Sequence, residues 1–141
     1  MLATSAGQDQ LAIMERLSRY AWGYDSNDPA MLLDSFTADA SLAMHVAGGG
    51  EWGPYLGRES IVEWMLGVMQ TQSDQRRHSM TNVVFDEVTE TKAVVRCFLV
   101  LTAAEHQKVR LVTTGWYRIE TVKQESAWRI RKLDLFLDAP F

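Results

Sequence analysis

The chain has 141 residues, 47% apolar and 23% charged, a balance that builds an ordinary globular core and excludes a disordered or low-complexity protein. Its net charge of −4 argues against a nucleic-acid or anionic-membrane partner, and its single cysteine, Cys97, excludes an intramolecular disulfide. No basic stretch leads into an apolar run at the N-terminus, and no apolar run approaches the roughly 20 residues of a membrane helix, so the expectation is a cytoplasmic protein.

The small, polar residues 1–8 are expected to be frayed. From about Gln10, the apolar positions Leu11, Ile13, Met14, Leu17, Tyr20, Ala21 and Tyr24 recur at three- and four-residue steps, the stripe of an amphipathic helix. Asn27-Asp28-Pro29 combines a turn with a new helix start, Asp28 as N-cap and Pro29 at the first helical position, leading a short helix over Ala30–Phe36. Ala40–Val46 alternates as a strand, runs into the flexible Gly48-Gly49-Gly50, and is followed by a short strand over Glu51–Leu56. Ile61, Trp64, Met65, Val68 and Met69 then space as a third helix.

After Asp74 the period changes. Ser79–Glu87, Ala93–Ala103, Val109–Thr121 and Ala127–Leu137 are β-branched and aromatic runs separated by short polar turns, which predicts an antiparallel meander of four strands. Helices first and strands later indicate an α+β domain spanning 1–141, with the helices packed on one face of a curved sheet. Such a cone, left partly unfilled, encloses an apolar pocket for a small organic ligand.

Two residues, Asp25 and His78, are the candidates for acid–base chemistry. Asp25 lies at the end of the first helix, where a carboxylate is unfavourable against the helix dipole. It reads either as a loop or capping residue beside Asn27 and Asp28, or as a buried partner for His78. His78 follows Arg76-Arg77 and reads either as a surface residue in a basic turn or as a general base. In the second case one ring nitrogen donates to Asp25 and the other faces substrate. A histidine ordinarily titrates near ~6.5, so base chemistry at neutral pH asks for little tuning.

The order of motifs resembles the SnoaL-like branch of the NTF2-like superfamily, near the scytalone dehydratase and hexachlorocyclohexane dehydrochlorinase group. The matching pieces are Leu17–Tyr20 through Tyr24–Asp28, Leu33–Ala40, Gly57–Ile61, Arg77–Asn82, Gly115–Tyr117 and Trp128–Ile130. The resemblance implies a cone-shaped α+β fold in which Asp25 and His78 form a catalytic dyad acting without a cofactor. It also implies a homo-oligomer, trimer or dimer. Because members of this family dehydrate, dehydrohalogenate, isomerise, cyclise or simply bind, the fold alone does not name the reaction.

Further residues are weighed in that light. Tyr20 and Tyr24 share a helical face near Asp25 and serve either as hydrogen-bond donors to a substrate oxygen or as core residues. Arg129 matches a position that lines the pocket in the dehydrochlorinase group, yet alternation with Trp128 and Ile130 turns it outward as a surface ion pair. Trp52, Trp64 and Met80 are candidates for an adaptable apolar wall. His45 and His106 lack partners at metal-ligand spacing, so no metal is expected, and no phosphate-binding glycine motif is present. The expectation is a lyase or isomerase acting on a small hydrophobic substrate through His78 and Asp25. The alternatives are a polyketide or terpenoid cyclase or isomerase, and a non-catalytic binding domain.

Overall fold

The computed structural model describes residues 2–141, with side chains from residue 6 onward. Helix α1 spans Leu2–Asp25, α2 Pro29–Ser35 and α3 Arg58–Met69; the strands are β1 (Phe36–Val46), β2 (Gly50–Leu56), β3 (Gln75–Val88), β4 (Lys92–Glu105), β5 (Lys108–Gln124) and β6 (Ala127–Leu137). Helix α1 runs on through residues 2–8, upstream of the apolar stripe and across the stretch expected to fray; Met1 lies outside the described residues. Its inward face is Ile13, Leu17, Tyr20 and Ala21, whereas Leu11 and Met14, assigned to the stripe by spacing, point outward.

The end of α1 is set by local chemistry. Asn27 adopts a left-handed conformation, φ 51°. The N–H groups of Asn27 and Asp28 return to the carbonyls of Tyr24 and Gly23, closing the last turn. Asp28 then caps α2 by accepting the Met31 N–H at 3.0 Å, with Pro29 in the first turn, as the sequence predicts.

The six strands form one unclosed sheet in the order β2-β1-β6-β5-β4-β3. The predicted meander is present, and its β4–β5 and β5–β6 hairpins turn through residue pairs with positive φ, His106-Gln107 and Glu125-Ser126. One pairing departs from the antiparallel expectation: β1 lies parallel to β6, because α2 delivers the chain to the far edge of the meander. Gly115 pairs with β6 where no side chain fits, since a Cβ there would sit 2.2 Å from the Phe136 carbonyl oxygen.

Alternation sorts the strands, and a register shift after Ile130 resets it in β6. Cys97, Leu99 and Leu101 of β4, Tyr117 and Ile119 of β5, and Ile130, Leu133 and Leu135 of β6 face the helices and are buried with Leu32, Ile61 and Met65. The curved sheet and its helices thus share one core, and the unfilled end of that core is the site.

Candidate active site

Two elements meet at the open end of the cone. Asp25 is the last residue of α1, and β3 is an edge strand whose outward N–H groups lack a strand partner. The Asp25 carboxylate takes up that edge: Oδ2 accepts the His78 backbone N–H at 2.7 Å, and Oδ1 lies 2.6 Å from His78 Nδ1. The Gln75 side chain donates to the Asp25 carbonyl at 2.7 Å, stitching β3 to the helix end. These donors resolve the unfavourable placement of a carboxylate at a helix C-terminus. Both side chains are only 9% exposed.

With Nδ1 engaged by Asp25, Nε2 is the ring nitrogen left for chemistry. His78 lines a cavity of about 530 Å³, counting the space open at its mouth. The deep wall is apolar, built from Leu42, Met44, Trp64, Met65, Leu99, Leu133 and Leu135. Polar groups gather at one corner: Tyr24, Gln72, Arg76 and His78. The Tyr24 ring meets the imidazole edge-on with centroids 4.6 Å apart, and its hydroxyl lies 3.4 Å from Gln72 Oε1. Burial pushes the Tyr24 phenol up to about 12 despite the opposing pull of Arg76, so it stays a neutral donor at physiological pH.

Tyr20 also lines the cavity, edge-on to Phe36 and to Tyr117 with centroids 5.8 and 6.4 Å apart. Burial raises both the Tyr20 and Tyr117 phenols well above the ordinary tyrosine range. Their hydroxyls are close enough to influence each other, yet Tyr117 Oη has no hydrogen-bond partner among the described residues.

Of the residues singled out in the sequence, Tyr20, Tyr24, Trp64 and His78 meet at this cavity, with Asp25 behind His78. Three candidates do not. Arg129 turns away from the helix-packed face as alternation requires, and binds Asp34 through the Oδ1 carboxylate oxygen at 3.0 Å and the main-chain carbonyl at 3.1 Å. Trp52 stands on the edge strand β2, 40% exposed and tilted against Phe141. Met80 packs against the core without lining the cavity. His45 pairs with Glu51 beside Phe136, and no cluster of three His, Cys, Asp or Glu among the described residues is placed to hold a metal.

Arg76, Gln72 and Tyr117 were missed. The signal for Arg76 was present, since residues two apart on a strand share a face. Starting β3 at Ser79 hid it, because the strand begins at Gln75 and carries Arg76 and His78 side by side.

A helix-backed cone on a curved, unclosed sheet is the NTF2-like fold, a small-molecule-binding domain type, and here a carboxylate–imidazole pair stands at its mouth. The SnoaL-like domain family matches residues 6–134, and the chain belongs to that family. No curated protein sequence matches it. Among solved structures it is similar to Rv3472 of Mycobacterium tuberculosis, a protein of unknown function, at 24% identity over 92% of this chain and 72% of that one, TM-score 0.79. It is similar to LinA at 18% identity, covering 100% of this chain and 95% of the other, TM-score 0.80. A candidate scytalone dehydratase of Novosphingobium aromaticivorans matches at 20% identity over 96% and 87% of the two chains, TM-score 0.76. No helix among the described residues is long and apolar enough to cross a membrane.

Proposed function

We propose that the protein is an acid–base lyase or isomerase for a small hydrophobic substrate, with its own side chains making the proton transfers. The observation that carries this reading is the largely shielded Asp25–His78 pair, with His78 on the cavity wall. His78 Nε2 removes a proton from a carbon beside an activating group. Asp25 holds the Nδ1–H tautomer and stabilises the imidazolium as it forms. Tyr24, neutral and adjacent, donates to a developing oxyanion or to a departing group. His78 then returns the proton to another carbon in an isomerisation, or to the leaving group in an elimination. Both Asp25 oxygens are engaged by His78, which favours His78 over Asp25 as the base and the lyase or isomerase reading over the cyclase one.

The test uses 2-tetralone, a compact bicyclic ketone with exchangeable C1 protons. His78→Ala should lower protein-catalysed C1 deuterium exchange by about 10²–10⁴-fold while 2-tetralone affinity stays within about tenfold. Unchanged exchange in that variant would remove His78 from the mechanism.

The proposal extends to a homo-oligomer formed through the convex sheet face. Phe98, Val100, Val109, Leu111 and Trp116 leave an apolar patch there, with Phe98 56% exposed. Phe98→Glu should yield monomers in sedimentation velocity from a parent that sediments as a dimer or trimer; a monomeric parent would refute the assembly.

A further inference from the structure

Arg76 has a donor that no other described residue uses. Its Nε donates to Asp74 Oδ1 at 2.7 Å, and Asp74 in turn accepts Arg110 Nη2 at 2.9 Å. Arg76 Nη1 is buried and has no hydrogen-bond partner among the described residues. A buried, unpaired guanidinium N–H is costly because it has given up water and gained no acceptor, so a position that keeps one invites a ligand acceptor. Arg16 Nη1 and Tyr117 Oη also have no hydrogen-bond partner among the described residues. Arg16, however, lies away from the cavity, held by the Trp128 carbonyl and Asp34.

Position gives the Arg76 donor meaning. Arg76 and His78 are two residues apart on β3, both line the cavity, and their Cα atoms are therefore about 6–7 Å apart on one face of the strand. The rest of the wall is largely apolar. Asp74 offsets one of the two guanidinium charges of Arg76 and Arg110, and the Asp25 carboxylate behind His78 offsets the other, so what marks this corner is the directed Arg76 donor.

We propose that Arg76 Nη1 is the receptor for a carbonyl oxygen on the ligand, and that the substrate class is an apolar molecule with an enolisable carbonyl, not a hydrocarbon or a halocarbon. This deepens the acid–base reading above, and its kinetic half rests on it. His78 takes the α proton; the C–H pair becomes the C=C bond, and the carbonyl π pair moves to oxygen, where the Arg76 N–H holds it. Collapse of the enolate restores the carbonyl. The electron pair then takes the proton back at carbon, or expels a β substituent that leaves with the proton from His78.

The test compares 2-tetralone with tetralin, the same skeleton without oxygen, by quenching of tryptophan fluorescence, and reads the bound ketone's C=O stretch by infrared difference spectroscopy. The parent protein should bind 2-tetralone at least about tenfold tighter than tetralin, with the carbonyl stretch shifted to lower frequency. Arg76→Met should bring the two affinities within about twofold, leave tetralin binding unchanged and reverse most of the shift. Should that variant lose tetralin binding through misfolding, Arg76→Gln, which keeps a donor toward Asp74, carries the same comparison. No ketone preference and no carbonyl shift in the parent protein would overturn the proposal, as would their survival in either variant with tetralin binding intact. The His78→Ala exchange result is independent. An Arg76-dependent ketone preference without His78-dependent exchange would sink the acid–base reading and leave the Arg76 receptor standing.

Discussion

Replacing Asp25 by asparagine separates the orienting role of the carboxylate from its structural one. Asp25 Oδ2 accepts a backbone N–H and Oδ1 faces His78 Nδ1, at 2.7 and 2.6 Å. An amide has one oxygen; it keeps the backbone bond and turns its NH2 toward the ring. That group donates, so the ring must accept at Nδ1 and carry its proton on Nε2. The base then presents a hydrogen where it should present a lone pair. Loss of general-base assistance alone predicts a fall of about 10²–10⁴-fold in C1 exchange of 2-tetralone. Hydrolase triads lose about 10⁴ when an asparagine imposes the wrong tautomer. The fold should suffer far less: a charge-assisted hydrogen bond becomes a neutral one, costing about 1 kcal/mol, or about 2–4 °C in Tm for a chain of this size. The assay is proton NMR exchange in D2O at fixed pH beside a thermal melt. Exchange within threefold of the parent would refute the reasoning, because the proton on the ring would then not depend on Asp25.

Two further outcomes follow from the packing. The hydrogen bond from Arg76, then its charge, and then Arg110 hold the Asp74 carboxyl below the usual carboxylate range. Its contribution to stability is therefore present above the ordinary aspartate value near ~3.9 and lost as pH falls through the lower folded-state value. Asp74→Asn should be less stable than the parent at neutral pH, with a shallower acid limb below about pH 4; parallel Tm–pH curves for the two proteins would contradict this. Tyr117→Phe removes a buried hydroxyl that lies near Tyr20 but has no hydrogen-bond partner among the described residues, and should leave stability unchanged or raise it by about 1 kcal/mol in urea unfolding. A loss of more than about 1 kcal/mol would mean that the Tyr117 hydroxyl is satisfied in solution.

What could be read from the sequence tracks how local each signal is. The Asp28-Pro29 cap and the meander appear where their residues predict, because caps, turns and two-residue alternation act over a few positions. The parallel pairing of β1 with β6 depends on where α2 delivers the chain, a long-range outcome that no local pattern encodes. The same divide runs through the site. Asp25 and His78 were visible through family resemblance, and Tyr20 and Tyr24 through helical spacing. For Arg129 the resemblance and the strand alternation pointed in different directions, and the side chain lies on Asp34, on the side alternation gives it. Arg76 stood in plain view two residues before His78, and only the placement of the β3 start kept it from the cavity-facing set.

The most direct test of the central claim is the tautomer of the neutral His78 ring, read by nitrogen-15 NMR. Histidines free in water favour the proton on Nε2. A poised dyad predicts the reverse in the parent protein, Nδ1 protonated against Asp25 and Nε2 bare toward the cavity, with reversion to Nε2–H in Asp25→Asn. A parent protein in which His78 carries its proton on Nε2 would contradict the account.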